Sequence, residues 1–228
     1  MSSIKALLRA AGITAAVAIA AACASEGHQT VATDAVESST RPFTGTKSIL
    51  ALGAVQNHSP YMTGMFSDGV DRLGGQAKTI LKTHLSQSGR FVVVDRDNMQ
   101  EIAKEAEIAG THQALTGARF VVTGEVTEFG RRETGDRELF GIAGRGRTQL
   151  AYSKVSLNVV DVRTSQVVYS VQGAGEYTMS EREILGTGST ASYDATLNGK
   201  VLNLSIMDAV NKLVAGVEAG AWTSAEKP

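Results

Sequence analysis

The sequence predicts an α+β protein in which helices pack on a single sheet, and three observations carry that prediction. Short apolar runs bounded by polar residues recur at Ser48–Val55, Phe91–Val94 and Ala118–Val126, the length and composition of buried strands. Between them, apolar residues fall at three- and four-residue intervals, as in helices with one buried face. Further along the period changes to two, the signature of antiparallel strands.

The elements follow in order. Ala24 to Thr46 is polar and aperiodic, including Ser38, Ser39, Thr40, Arg41 and Pro42, and reads as a tether ahead of a body that starts at Lys47. Ser48–Val55 is the first strand, and a loop with Asn57, His58, Ser59 and Pro60 leaves it. Val70, Leu73, Ala77, Ile80, Leu81 and Leu85 line one face of a helix between Phe66 and Gln87, which Gly89 ends. After the second strand, Asp97 or Asn98 can cap a helix with Met99, Ile102, Ala106 and Ile108 on its apolar side. Ala118–Val126 is the third strand, so the first half reads strand, helix, strand, helix, strand. Val155–Val162 then alternates, Arg163-Thr164-Ser165 turns, and Gln166–Val171 returns as an antiparallel hairpin. Long stretches rich in glycine and hydroxyl residues flank this hairpin at 129–152 and 173–199. Leu204, Met207, Val210, Leu213, Val214 and Val217 make a closing helix that ends near Gly220 and Trp222.

Cys23 is the only cysteine of the 228 residues, and it closes the apolar run Ala15–Ala22, which follows Lys5 and Arg9. The run is too short to span a bilayer stably and carries a basic flank and small residues before the cysteine, the layout of a cleaved export signal. A lone cysteine cannot staple its own chain, and acylation accounts for both its position and its solitude. On this reading Cys23 is the lipidated first residue of the mature chain. An ordinary signal cleaved elsewhere and a buried structural cysteine are the alternatives. Ala24 follows where an aspartate would retain the protein in the inner membrane, which points to the outer membrane, with the body in the periplasm.

Charge is balanced, 22 Lys and Arg against 23 Asp and Glu, so no basic field argues for nucleic acid as a partner. The four histidines (His28, His58, His84, His112) are scattered, which argues against a metal centre and reads as surface or loop positions. Gly141–Arg147 superficially resembles a phosphate loop but lacks a preceding buried strand and a following helix, and Gly186–Thr190 fails the same test. Glu181, Arg182 and Glu183, or Asp95 with Arg96, assemble no nucleophile, base and orienting group. The expectation is a protein that is not an enzyme and needs no cofactor.

Several strings together resemble the CsgG family of curli secretion channels, which includes holdfast-anchoring relatives. They are Tyr61-Met62-Thr63-Gly64-Met65-Phe66, Arg90–Arg96 followed by Met99 and Ile102, Ala118–Val126, the Val155–Val171 hairpin, and Gly216–Trp222. The resemblance covers about Lys47 to Trp222. It implies a homo-oligomeric ring of α/β sandwich-like periplasmic bodies, with two β-hairpins per subunit joining one transmembrane β-barrel in the outer-membrane lipid. It also implies export of amyloid-like or adhesin subunits with curli-type accessory factors, in cell adhesion or biofilm formation. The family's pore constriction is lined by a tyrosine, an asparagine and a phenylalanine. Tyr61 and Phe66 fall on the first and last of these, and Met65 stands where the asparagine is expected, so the polar element is missing. Aromatic faces suit contact with an extended chain without reading its sequence; covering the sheet is the alternative role for Tyr61 and Phe66.

The expected layout is a signal at 1–22, an acylated tether at 23–46, a CsgG-like domain at 47–222 with candidate barrel hairpins at 129–152 and 173–199, and a tail at 223–228. Arg131–Glu138 strains the barrel, because Arg or Lys on a lipid face costs roughly 2–4 kcal/mol at mid-bilayer. Those residues need a lumen, an interface or a loop, or else the hairpins are soluble. The same body without a pore, binding and regulating an envelope-assembly partner, is the competing function.

Overall fold

The computed structural model describes residues 33–61, 69–137, 145–183 and 197–222. They form one five-stranded mixed sheet with two helices on one face. In chain order the elements are β1 (Ser48–Asn57), α1 (Arg72–Gln87), β2 (Phe91–Val94), α2 (Met99–Ile108), β3 (Phe120–Arg137), β4 (Arg145–Asp161), β5 (Val167–Glu183) and α3 (Leu197–Glu218). The strand order is β2-β1-β3-β4-β5. β1 runs parallel to both β2 and β3, as strand-helix-strand connections require, and β3, β4 and β5 are successive antiparallel neighbours.

Alternate strand residues build the core. Leu50, Leu52, Phe120, Val122, Val126, Val155, Leu157 and Val159 are buried under Leu73, Ala77, Leu81 and Leu85 of α1 and Val201, Leu202, Ile206, Val210 and Leu213 of α3. The spacing expected for α1 holds from Leu73 onward; Val70 precedes the helix and is exposed. Trp222 closes one end of the core, stacked on Phe91 at 5.8 Å and edge-on to Phe120 at 5.5 Å.

Four sequence expectations need correction. The body takes in residues from Ala35, well before Lys47: Val36 is buried, and a 3-10 turn (Glu37–Thr40) follows it. The cause is Arg90. Its buried guanidinium donates to the carbonyls of Ser38 (2.9 Å) and Arg41 (2.8 Å), pairs with Glu218 at 2.8 Å, and lies over the Phe43 ring. His84 is neither a surface nor a loop residue; it sits on the buried face of α1, with Nε2 2.8 Å from Asn203 Oδ1 of α3. The cap of α2 is different too. Asn98 holds the N-cap position but its side chain accepts from no backbone N–H of the helix, and Asp95 instead accepts from the backbone N–H groups of Asp97 (2.9 Å) and Asn98 (3.3 Å). Finally, α2 forms over the expected residues but buries none of them.

β3 and β4 are much longer than their apolar patterns. β1 stops pairing with β3 at Val126, yet β3 and β4 continue through ten further rungs, from Glu128 opposite Lys154 to Arg137 opposite Arg145. β5 follows β4 over the same length, from Ala174 opposite Lys154 to Glu183 opposite Arg145.

Candidate functional site

Tyr61 is the predicted constriction residue within the described part of the chain; Met65, Phe66 and the lipidation residue Cys23 lie outside it. The loop that carries Tyr61 leaves the end of β1 and returns at the start of α1, and the two ends are tied together. Asp71 does this with both carboxylate oxygens: Oδ1 accepts from Gly74 N–H (2.8 Å), capping α1, and Oδ2 accepts from Asn57 N–H (2.7 Å) at the last residue of β1. Asn57 in turn donates from Nδ2 to the Tyr61 carbonyl (3.0 Å) and accepts from Ser59 N–H (3.0 Å) and Oγ–H (2.6 Å). The end of β1 and the start of α1 are therefore tied to one another.

The Tyr61 ring is half-buried and packs on Phe129 of β3, with centroids 4.7 Å apart and planes inclined at 47°. Its hydroxyl accepts from Asn198 Nδ2 of α3 (3.1 Å), and Asn198 Oδ1 accepts from Arg131 Nε (2.8 Å). Tyr61 thus joins the loop, the first rungs of the extended β3 and the N-terminal turn of α3 in one polar chain. Phe129, Asn198 and Arg131 had no signal in the sequence, because each reaches Tyr61 from a distant segment. The Asp71 cap had one: an aspartate three residues before Gly74, at the head of an apolar-periodic run.

Where α3 crosses the sheet, its backbone lies directly on β5. A Cβ on Gly173 would collide with the Ser205 carbonyl and the Ala209 amide, and one on Gly175 would come within 2.7 Å of Ser205 N and 2.8 Å of Val201 O. The glycines at the start of the 173–199 stretch thus serve helix packing. Glu181, Arg182 and Glu183 occupy the last rungs of β5. Among the described residues no group of three or more His, Cys, Asp or Glu could hold a metal ion, and no helix is long and apolar enough to cross a membrane.

The charges around α2 are used structurally. Asp95 accepts from Asn98 Nδ2 (2.7 Å) and pairs with Lys82 (3.1 Å), and these bonds lower its pKa to about 2. Asp161 receives the backbone N–H groups of Arg163 (2.8 Å) and Thr164 (3.1 Å) at the β4–β5 turn. Burial works to raise its pKa, but these bonds and the Arg119 guanidinium outweigh it, and the net direction is down.

Comparison with known proteins gives the chain its family. NMB1126/NMB1164 of Neisseria meningitidis serogroup B, named as a lipoprotein, is 52% identical over 216 residues, covering 92% of this chain and 97% of that protein. Among solved structures, lipoprotein GNA1162 of Neisseria meningitidis is 14% identical, covering 76% of this chain and 99% of its own, with a TM-score of 0.35. The PelC dodecamer of Paraburkholderia phytofirmans is 16% identical, covering 75% of this chain and 91% of its own, with a TM-score of 0.34. Such low scores carry no functional weight. The family described as curli production assembly/transport component CsgG matches residues 30–227, nearly the whole folded chain, and on that match and the 52% relative this protein belongs to the CsgG family.

Proposed function

We propose that this protein is an outer-membrane lipoprotein, acylated at Cys23, whose copies assemble into a ring with its bodies in the periplasm and export or anchor amyloid-like surface subunits or adhesins. The observation that carries this reading is the three-stranded ribbon of β3, β4 and β5. Ten rungs at about 3.3 Å each reach roughly 33 Å, against a hydrocarbon layer of about 30 Å. Among the described residues no strand pairs with the outer edge of β3 beyond Val126 or with the outer edge of β5. Exposed edges of that length are templates for a further strand, and closure into a barrel removes them.

Tyr61, Met65 and Phe66 are the proposed constriction residues. The ties between Asn57, Tyr61 and Asp71 support this role for Tyr61, since they fix the position of its backbone relative to β1 and α1. Arg131 and Arg132 favour a second reading, because they occupy successive positions of the strand and so lie on both its faces, and either would be costly in lipid. On that reading the ribbon stays in water and the lipoprotein binds and regulates an envelope-assembly partner without a pore.

Single-channel recording of the purified acylated protein in planar bilayers separates the two. Large discrete conductance that rises in the Tyr61→Ala, Phe66→Ala double variant is the result expected of a channel with its constriction at this loop. Folded, membrane-bound protein that passes no current would sink the channel and leave the partner-binding lipoprotein.

A further inference from the structure

An unpaired strand edge is a template for a further strand, and β5 carries such an edge on its side away from β4. The hazard is greatest over its first half. From Val167 to Ala174 the strand holds no charge and no proline, and three valines and a tyrosine give it high β-propensity. Val167 and Val168 are 58% and 37% exposed, and the first charge along the strand is Glu176.

That edge is covered by two side chains of α3. Asp208 Oδ2 accepts from Ala174 N–H (3.0 Å), Lys212 Nζ donates to the Gln172 carbonyl (2.8 Å), and the two side chains bond each other at 2.8 Å. Backbone groups of residues two apart point to the same side of a strand, so the donor and acceptor taken up here belong to the edge that a further strand would use. Asp208 stands in for the carbonyl of such a strand and Lys212 for its N–H. The pair reaches the edge because the α3 backbone rests on Gly173, between the two bonded residues.

The β3 edge is closed at the same level by different means. His58 and Ser59, in the loop after β1, donate their backbone N–H groups to the Val126 carbonyl (3.0 and 3.1 Å). Val126 lies opposite Val155, and Val155 opposite Gly173, so both closures share one row of the sheet.

We infer that Asp208 and Lys212 are an edge guard: they occupy the β5 edge at 172–174 so that β5 of a second copy cannot add there, and they confine strand addition to the ribbon from Glu176 onward. A strand that displaced them would remake only bonds that already exist and would separate an ion pair, so addition gains little at this point. The role is the same whether the ribbon lies in lipid or in water.

Disulfide capture on the full-length, detergent-extracted protein tests it. Gln172→Cys puts an exposed thiol on the guarded segment, and antiparallel pairing of β5 with its own copy around this position would set two such thiols opposite each other. Wild type, with Cys23 as its only cysteine, is the blank. The expected result is dimer at the blank level while the guard is intact, and several-fold more, rising with protein concentration, when Asp208→Ala and Lys212→Ala are added. Light scattering reads the same association in any register. Exchanging the pair, Asp208→Lys with Lys212→Asp, keeps opposite charges four residues apart on the helix but sets donor against donor and acceptor against acceptor at the edge. It is expected to match the double alanine variant. Equal association with and without the guard overturns the inference, and so does an exchanged pair that behaves as wild type, which would make the two residues a helix ion pair only. A thermal midpoint shows that each variant is folded, and Lys212→Met alone takes the place of the double alanine variant if that one is not. Yields are compared at one concentration in one detergent, so the result does not depend on whether wild type forms a ring or passes current.

Discussion

Gly173 and Gly175 illustrate how a residue's meaning depends on what stands opposite it. In sequence they open a glycine-rich stretch that resembles the start of a membrane hairpin; in space they let the α3 backbone rest on β5. Gly173→Val is expected to destabilise the fold by about 1–3 kcal/mol or more, since the obstruction is backbone and cannot rotate away. Gly75, on α1 with open space around it, is its control, because Gly75→Ala should stabilise by up to about 1 kcal/mol. Urea midpoints of the two variants give both signs. Asp95 makes a pH-dependent contribution. Its folded pKa of about 2 lies below the ordinary 3.8, so the stability it adds is complete above about pH 4 and is lost as the pH falls toward 2. Asp95→Asn should therefore have a lower urea midpoint than wild type at neutral pH, with the difference closing across that window.

At the scale of elements, legibility followed burial. β1, β2 and the helix at α1 could be read because each turns an apolar face to the core, and their expected positions agree with the structure to within a few residues. From its apolar pattern β3 was read only to Val126; its continuation was expected only through the hairpin at 129–152 that the family resemblance implies. Beyond that point β1 has ended, and the ladder continues through backbone hydrogen bonds, which leave no apolar pattern. The 3-10 turn was illegible for a related reason, since a polar segment is held by a partner far along the chain. Arg90→Met should show how firmly. Loss of the donors to Ser38 and Arg41 and of the Glu218 pair is expected to cost about 3 kcal/mol and to expose the 35–46 segment to protease at temperatures where wild type resists. A thermal midpoint with limited proteolysis checks both. If the segment stays protected in the variant, Val36 rather than Arg90 holds it.

For the whole molecule, the family was legible because short strings occur in a shared order, and the 30–227 match bears that out. The neighbours of Tyr61 were not, since Phe129 and Asn198 come to it only after the sheet and α3 are assembled. The proposed function makes its sharpest claim at this scale, through the conductance of the Tyr61→Ala, Phe66→Ala variant.

Docking of the chain from Ala35 onward also sets a distance. On the proposed acylation of Cys23, residues 24–34 separate the lipid from the docked chain, and at about 3.4 Å per residue their contour length is roughly 40 Å at most. Had the chain been loose to Lys47, the span would have been about twice as long. On that proposal, a body so tethered would stay close to the bilayer, which would raise the local concentration at which copies meet. Arg90, by docking the 35–46 segment, would thus help to set how closely the folded part is held to the membrane.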